Sequence, residues 1–107
     1  MSWIVEFLDE DVEALLDALP VDIRAHFLRI VELIRSQGLE RVREPYIKHL
    51  EAALWEMRLK GKSGIARAVY VTAVGKRIVV VHVFTKKTQK TPRREIEIAL
   101  KRAKEVQ

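Results

Sequence analysis

A chain of 107 residues, 49% apolar and 33% charged, suffices for one hydrophobic core but not two, so a single domain spanning 1–107 is expected. Without cysteine there is no disulfide and no thiolate-held zinc site, and with no signal peptide or long apolar run a cytoplasmic protein without membrane association is expected. The net charge of +5 hides an asymmetry: residues 1–54 hold 6 Lys/Arg against 11 Asp/Glu, a net −5, whereas residues 55–107 hold 14 against 4, a net +10. A basic half of this kind points to a phosphate-bearing partner, the plainer alternative being a solvated basic surface.

Ser2 to Leu8 alternates Trp3, Val5 and Phe7 with Ile4, Glu6 and Leu8, which predicts a first strand. Asp9 or Asp11 then caps a short helix running to about Leu19, with Val12, Leu15, Leu16 and Leu19 as its apolar stripe, and Pro20 ends it. A second helix is predicted over Val21 to Gln37 from the spacing of Ile23, Phe27, Ile30, Val31 and Ile34, with Gly38 as its stop. Together they form a helical hairpin laid on a sheet. Leu39 to Ala53 is less regular; Glu44-Pro45 disfavours helix, and one short helical turn is predicted over Tyr46 to Leu50. His26 and His49 read as structural or exposed side chains.

Trp55 to Lys86 reads as three antiparallel strands, over 55–60, 65–74 and 77–86, joined by a loop at Gly61 to Gly64 and a two-residue turn at Gly75 and Lys76. That turn sets Val74 opposite Arg77, Val69 opposite His82 and Arg67 opposite Phe84; the preceding loop sets Arg58 opposite Arg67. One face then carries Glu56, Arg58, Lys60, Arg67, His82 and, at its rim, Lys86. The other carries Trp55, Met57, Leu59, Ala66, Ala68, Tyr70, Val79, Val81 and Val83 and packs on the helices. Two arginines opposite one another repel, so their placement suggests a site kept for an anion. Thr91 as N-cap and Pro92 at the first helical position start a last helix with the stripe Ile96, Ala99, Leu100 and Ala103. Arg93 and Arg94 in its first turn oppose the helix dipole, which suits a corner, with Lys86, Lys87 and Lys90, that receives phosphate.

The segments Leu54 to Arg58 (LWEMR), Arg67, Phe84 to Thr88 (FTKKT) and Thr91 to Ile96 (TPRREI) resemble the RelE/ParE toxin superfamily, closest to its phage-related, HigB-like branch. The resemblance implies an α+β fold with a small antiparallel sheet in the order β-α-α-β-β-β-α, the helical hairpin on one face and a C-terminal helix. It implies the toxin of a type II toxin-antitoxin pair, a ribosome-dependent mRNA endoribonuclease that inhibits translation without metal or other cofactor. Its implied partners are mRNA on the ribosome and a cognate antitoxin, a small helix-turn-helix protein. Carried over by position, Arg67 matches the arginine of the central strand, Lys87 the basic residue at the end of the last strand, and Arg58 and Lys60 the basic end of the second strand. The tyrosine that some RelE-like members carry near the final helix has no counterpart; Arg93 and Arg94 stand about there.

Cleavage of RNA by its own 2′-oxygen needs a base, cations for the charge growing on the phosphate, and an acid for the departing 5′-oxygen. Arg67 and Arg58 suit phosphate, because guanidinium presents a planar fork to two oxygens; the alternative is simple pairing with Glu56. His82 can serve as acid or base, or can be a strand residue packed beneath the last helix. The expected catalytic set is therefore Arg67, Lys87, His82 and Arg58, with Arg67 and Lys87 on solvent-facing positions of a cleft. Lys60, Lys62, Lys86, Lys90, Arg93 and Arg94 are the expected RNA-backbone contacts. Glu56 and His82 are too few ligands for a metal, and Gly61-Lys62-Ser63-Gly64 lacks the frame of a nucleotide-binding loop. Two other functions fit the same fold or charge: gyrase inhibition by protein binding, as in the ParE type, and non-catalytic nucleic-acid binding.

Overall fold

In the computed structural model, which describes residues 2–88 and 90–107, five strands form one sheet in the order β1-β5-β4-β3-β2. These are β1 (Ile4–Phe7), β2 (Ile47–Glu51), β3 (Leu54–Gly61), β4 (Gly64–Ala73) and β5 (Arg77–Lys86). Helices α1 (Glu10–Asp17) and α2 (Val21–Gln37) follow β1, and α3 (Arg93–Ala103) follows β5. The α+β class is as expected, with two changes to the sheet. It is mixed, because β1 runs parallel to β5, Val5 beside Ile78; the intervening helices and hairpins supply the long crossover that a parallel pair requires. It also has a strand more than expected. Residues Ile47–Glu51 are not a helical turn but an edge strand, with Ile47, Lys48 and His49 opposite Met57, Glu56 and Trp55. Five residues are too few to hold a helix unaided, and the open edge of β3 offers them a hydrogen-bonded ladder instead.

Local chemistry sets the helix ends. Asp9 caps α1, its Oδ1 accepting from the Val12 N–H at 2.9 Å. Gly38, at φ 88° and ψ 147°, stops α2 in a backbone region that only glycine enters without strain, and its N–H reaches the Ile34 carbonyl at 2.8 Å. The N-cap of α3 is Pro92, not Thr91. The Thr91 hydroxyl is turned away from the helix and donates to Glu56 Oε1 at 2.9 Å.

The β4–β5 register holds in the middle and differs at the turn. Ala73, not Val74, faces Arg77, so the turn has three residues, Val74 to Lys76, with Gly75 and Lys76 both at positive φ. A register shift beyond Val69 and Tyr70 then absorbs one extra residue on β5: Tyr70 faces Val80 while Val69 faces His82. The expected pairs Val69–His82, Arg67–Phe84 and Arg58–Arg67 all stand. The bulge also exchanges part of β5 between faces. Ile78, Val80 and Val83 join Met57, Leu59, Ala66, Ala68 and Tyr70 under α1 and α2. Val79 and Val81, expected on that side, lie on the other with Leu54, Val69, Val71, Phe84 and the α3 residues Ile96 and Ala99. The sheet is thus covered on both faces, by the hairpin on one and by α3 on part of the other. Fully buried Ile23, Ile30, Leu59 and Ile78 each contribute roughly 1.5–3 kcal/mol.

Candidate nucleic-acid interface

Strand alternation sets the α3-side face. Paired residues point the same way, so Lys48 and Glu56, Arg58 and Arg67, and Phe84 and Lys86 project from it together. Within this group lies a buried carboxylate. Glu56 is 3% exposed, with Oε2 3.4 Å from Arg58 Nε and 3.3 Å from Arg67 Nε, while Oε1 accepts from Thr91. Arg67 is itself 4% exposed and donates from Nη1 to the Ala66 carbonyl at 3.0 Å. Yet the buried Nε groups of both arginines lack a hydrogen-bond partner. Both Nε groups are enclosed against Glu56 Oε2 as ion pairs without full hydrogen-bond geometry, so what the pair offers an anion is its excess positive charge.

Lys86 completes the cluster. It is buried, and its pKa is drawn below the ordinary 10.5 first by that burial and then by the like charges of Arg67, Arg58 and Lys48, against which Glu56 acts. Burial likewise lowers the Arg67 guanidinium, with Arg58 adding to the effect and Glu56 opposing it. Among the described residues, the positive charge of Arg58, Arg67, Lys86 and Lys48 gathered here exceeds the single negative charge of Glu56, an imbalance that an incoming anion relieves.

Of the residues expected at the site, the structure brings Arg58, Arg67 and Lys86 together. The expectation that Arg67 faces solvent is corrected by its burial, because Glu56, Ala66 and the strand beneath α3 enclose it. Lys87 and Lys90 are exposed in the segment that follows Lys86. Lys60 is exposed near the end of β3 and Lys62 at the tip of the β3–β4 hairpin. Arg94 is exposed, whereas Arg93 is claimed by Glu51 of β2, at 2.5 and 3.0 Å from its two terminal nitrogens, and by Glu97. His82 lies beneath α3, 6% exposed, its Nε2 2.8 Å from Glu95 Oε1 and its Nδ1 2.9 Å from Arg102 Nη1. Arg102 can only donate, so Nδ1 accepts and the Nε2–H donates to Glu95. Burial foremost lowers the pKa of His82, with Arg102 acting the same way and Glu95 in the opposite sense.

Two members of the site were not anticipated from the sequence. Lys48 enters only because Ile47–Glu51 is a strand paired with β3, and Thr91 only because its hydroxyl serves Glu56 instead of α3. The alternation of Ile47, Lys48 and His49 was the available signal for the first. Among the described residues, no three or more His, Asp or Glu side chains gather where they could hold a metal ion.

A family model described as phage derived protein Gp49-like matches residues 14–104. No curated protein matches the chain. Among solved structures, a mutant of the E. coli toxin RelE in the free state superposes with a TM-score of 0.66 at 18% identity, covering 95% of this chain and 98% of that one. The archaeal RelE from the RelE-RelB complex of Pyrococcus horikoshii OT3 gives a TM-score of 0.56 at 21% identity, covering 79% and 96%. At such identities the two structures speak for the fold, and the family match spans most of the chain. The chain therefore belongs to the phage-derived Gp49-like family, within the RelE/ParE toxin superfamily, and has the RelE fold.

Proposed function

We propose that this chain is the toxin of a type II toxin-antitoxin pair and an endoribonuclease that cuts mRNA on the ribosome, in the cytoplasm, by attack of the 2′-hydroxyl on the adjacent phosphate. The observation that carries this reading is the cation cluster: Arg58 and Arg67 paired with the buried Glu56, and Lys86 and Lys48 adding positive charge beside them. The 2′-oxygen bonds to phosphorus, the bond to the 5′-oxygen breaks, and the products are a 2′,3′-cyclic phosphate and a 5′-hydroxyl. The non-bridging oxygens gain charge on the way, and Arg58 and Arg67 receive it. Lys86 neutralises the phosphate, and Lys87, Lys60, Lys62, Lys90 and Arg94 hold the flanking backbone. Arg93 serves the same surface indirectly, by tying α3 to β2 through Glu51. No step requires a metal. His82 takes part in proton transfer only if α3 moves, since both its ring nitrogens are committed to that helix.

The fold likeness to a RelE that occurs in complex with RelB supports an antitoxin partner here. An acidic segment that answers the cluster with carboxylates fits it, because burying these cations without counter-charge costs several kcal/mol per ion. The reading is tested by adding the protein to translating ribosomes and mapping mRNA 5′ ends, with gyrase supercoiling assayed in parallel. New 5′-hydroxyl ends within open reading frames are expected. Intact mRNA together with inhibited supercoiling would replace the nuclease by a gyrase poison.

A further inference from the structure

A cavity of about 930 Å³ opens on the hairpin side of the sheet, where α2 has ended and the segment after it arches over β2, β3 and β4. Its walls are aromatic and apolar: Trp3, Trp55, Tyr70, Val42 and Ile47. Trp55 is 39% exposed and braced edge-on by His49, ring centroids 4.9 Å apart. Tyr70, 1% exposed, closes the cavity from beneath, and its burial raises the pKa of the phenol. The indole Nε1–H of Trp3 is buried without an acceptor. Glu40 and Glu44 stand among the lining residues as acceptors and Arg43 as a cation.

We propose that this cavity is a nucleobase site for the RNA that the cation cluster holds by its backbone, an inference that rests on the nuclease reading and specifies its substrate. The wall offers aromatic faces for stacking, which is how single-stranded RNA is read when bases are splayed from the strand. The orphan indole N–H calls for a ring nitrogen or carbonyl acceptor, and the glutamates call for an N–H donor. A nucleobase with an exocyclic amino group supplies both; an aliphatic side chain from a protein partner supplies neither. Lys48 lies between the two places, since its residue lines the cavity edge at β2 while its side chain projects from the face of the cluster, where its charge bears on Lys86. A strand leaving the cluster over the β2 edge keeps a cation beside its phosphates as it turns towards the cavity.

Trp3 and Trp55 are the only tryptophans in the chain, and both line this cavity. Indole N–H resonances in a ¹⁵N–¹H spectrum of the intact protein therefore report on it alone. Guanosine 5′-monophosphate is expected to shift both resonances saturably and to move the Trp3 signal towards its hydrogen-bonded position. Trp55→Leu is expected to weaken binding about tenfold or more, as removal of a stacking partner does. An equal response to ribose 5-phosphate would reduce the site to phosphate binding and overturn the proposal. So would a response to N-acetyl-leucinamide with none to the nucleotide, which would assign the cavity to a protein side chain, and so would no response to either. Mononucleotide binding requires no cleavage, so failure here leaves the mRNA end-mapping result untouched.

Discussion

Glu56 sets the arrangement at the residue scale. It is a carboxylate where a phosphate-binding face would otherwise have only cations; its Oε2 meets both arginines on their Nε side, while Arg67 Nη1 is held by the Ala66 carbonyl. Thr91 fixes the other oxygen of that carboxylate. Because the Thr91 hydroxyl bonds a buried charge and does not cap α3, Thr91→Val is expected to cost about 1.5–3 kcal/mol in a urea titration and to slow cleavage, with Thr91→Ser restoring both. A helix-capping role would show the reverse pattern: loss of α3 helicity by circular dichroism and no change in the cleavage rate of the folded protein.

At the element scale, α3 is pinned by His82. The Glu95–His82–Arg102 arrangement suits neutral imidazole, and burial lowers the pKa of His82 from 6.5. Below 6.5 the unfolded chain takes up a proton that the folded chain refuses. The stability is therefore full above that value and is lost as pH falls through the lowered folded pKa. His26 acts in the same sense, through burial, Lys60 and Arg29. His82→Gln is expected to flatten the fall in unfolding free energy between about pH 7.5 and about pH 5.5; an unchanged fall would place the pH dependence elsewhere. The sequence made α1, α2, α3 and the β3–β5 meander legible because each carries its period over many residues, and Asp9 and Gly38 carry their chemistry openly. It hid β2, five residues whose strand state depends on the edge of β3, and the bulge at Val81, which a symmetric run of valines cannot announce. Arg58 and Arg67 were found together because their pairing depends only on the short 61–64 loop. The burial of His82 beneath α3 was only one of two readings, since no local pattern reveals which face a terminal helix will cover.

For the whole molecule, the charge division acquires a location. The acidic first half builds the hairpin side and the basic second half builds the face that carries Arg58, Arg67 and Lys86, so an RNA strand approaches with a defined orientation. Affinity for a non-cleavable RNA, 2′-deoxy at the scissile position, is expected to fall linearly with the logarithm of salt concentration. Charge reversal at exposed Lys87 and Lys90 should lower the slope by about one for each phosphate that the protein no longer neutralises, and a slope of zero would remove the backbone-binding account. The central claim, that the cation cluster performs the cleavage, is met most directly by the single-turnover rate on mRNA in reconstituted translating ribosomes. Arg67→Lys retains a charge beside Glu56 while removing the guanidinium fork and its bond to the Ala66 carbonyl. The expected result is a cooperatively folded variant whose melting temperature falls by several degrees at most, about 4–8 °C for each kcal/mol lost with the Ala66 bond, with cleavage of the folded protein about 10²–10³-fold slower, and a variant that cuts at the wild-type rate would contradict it.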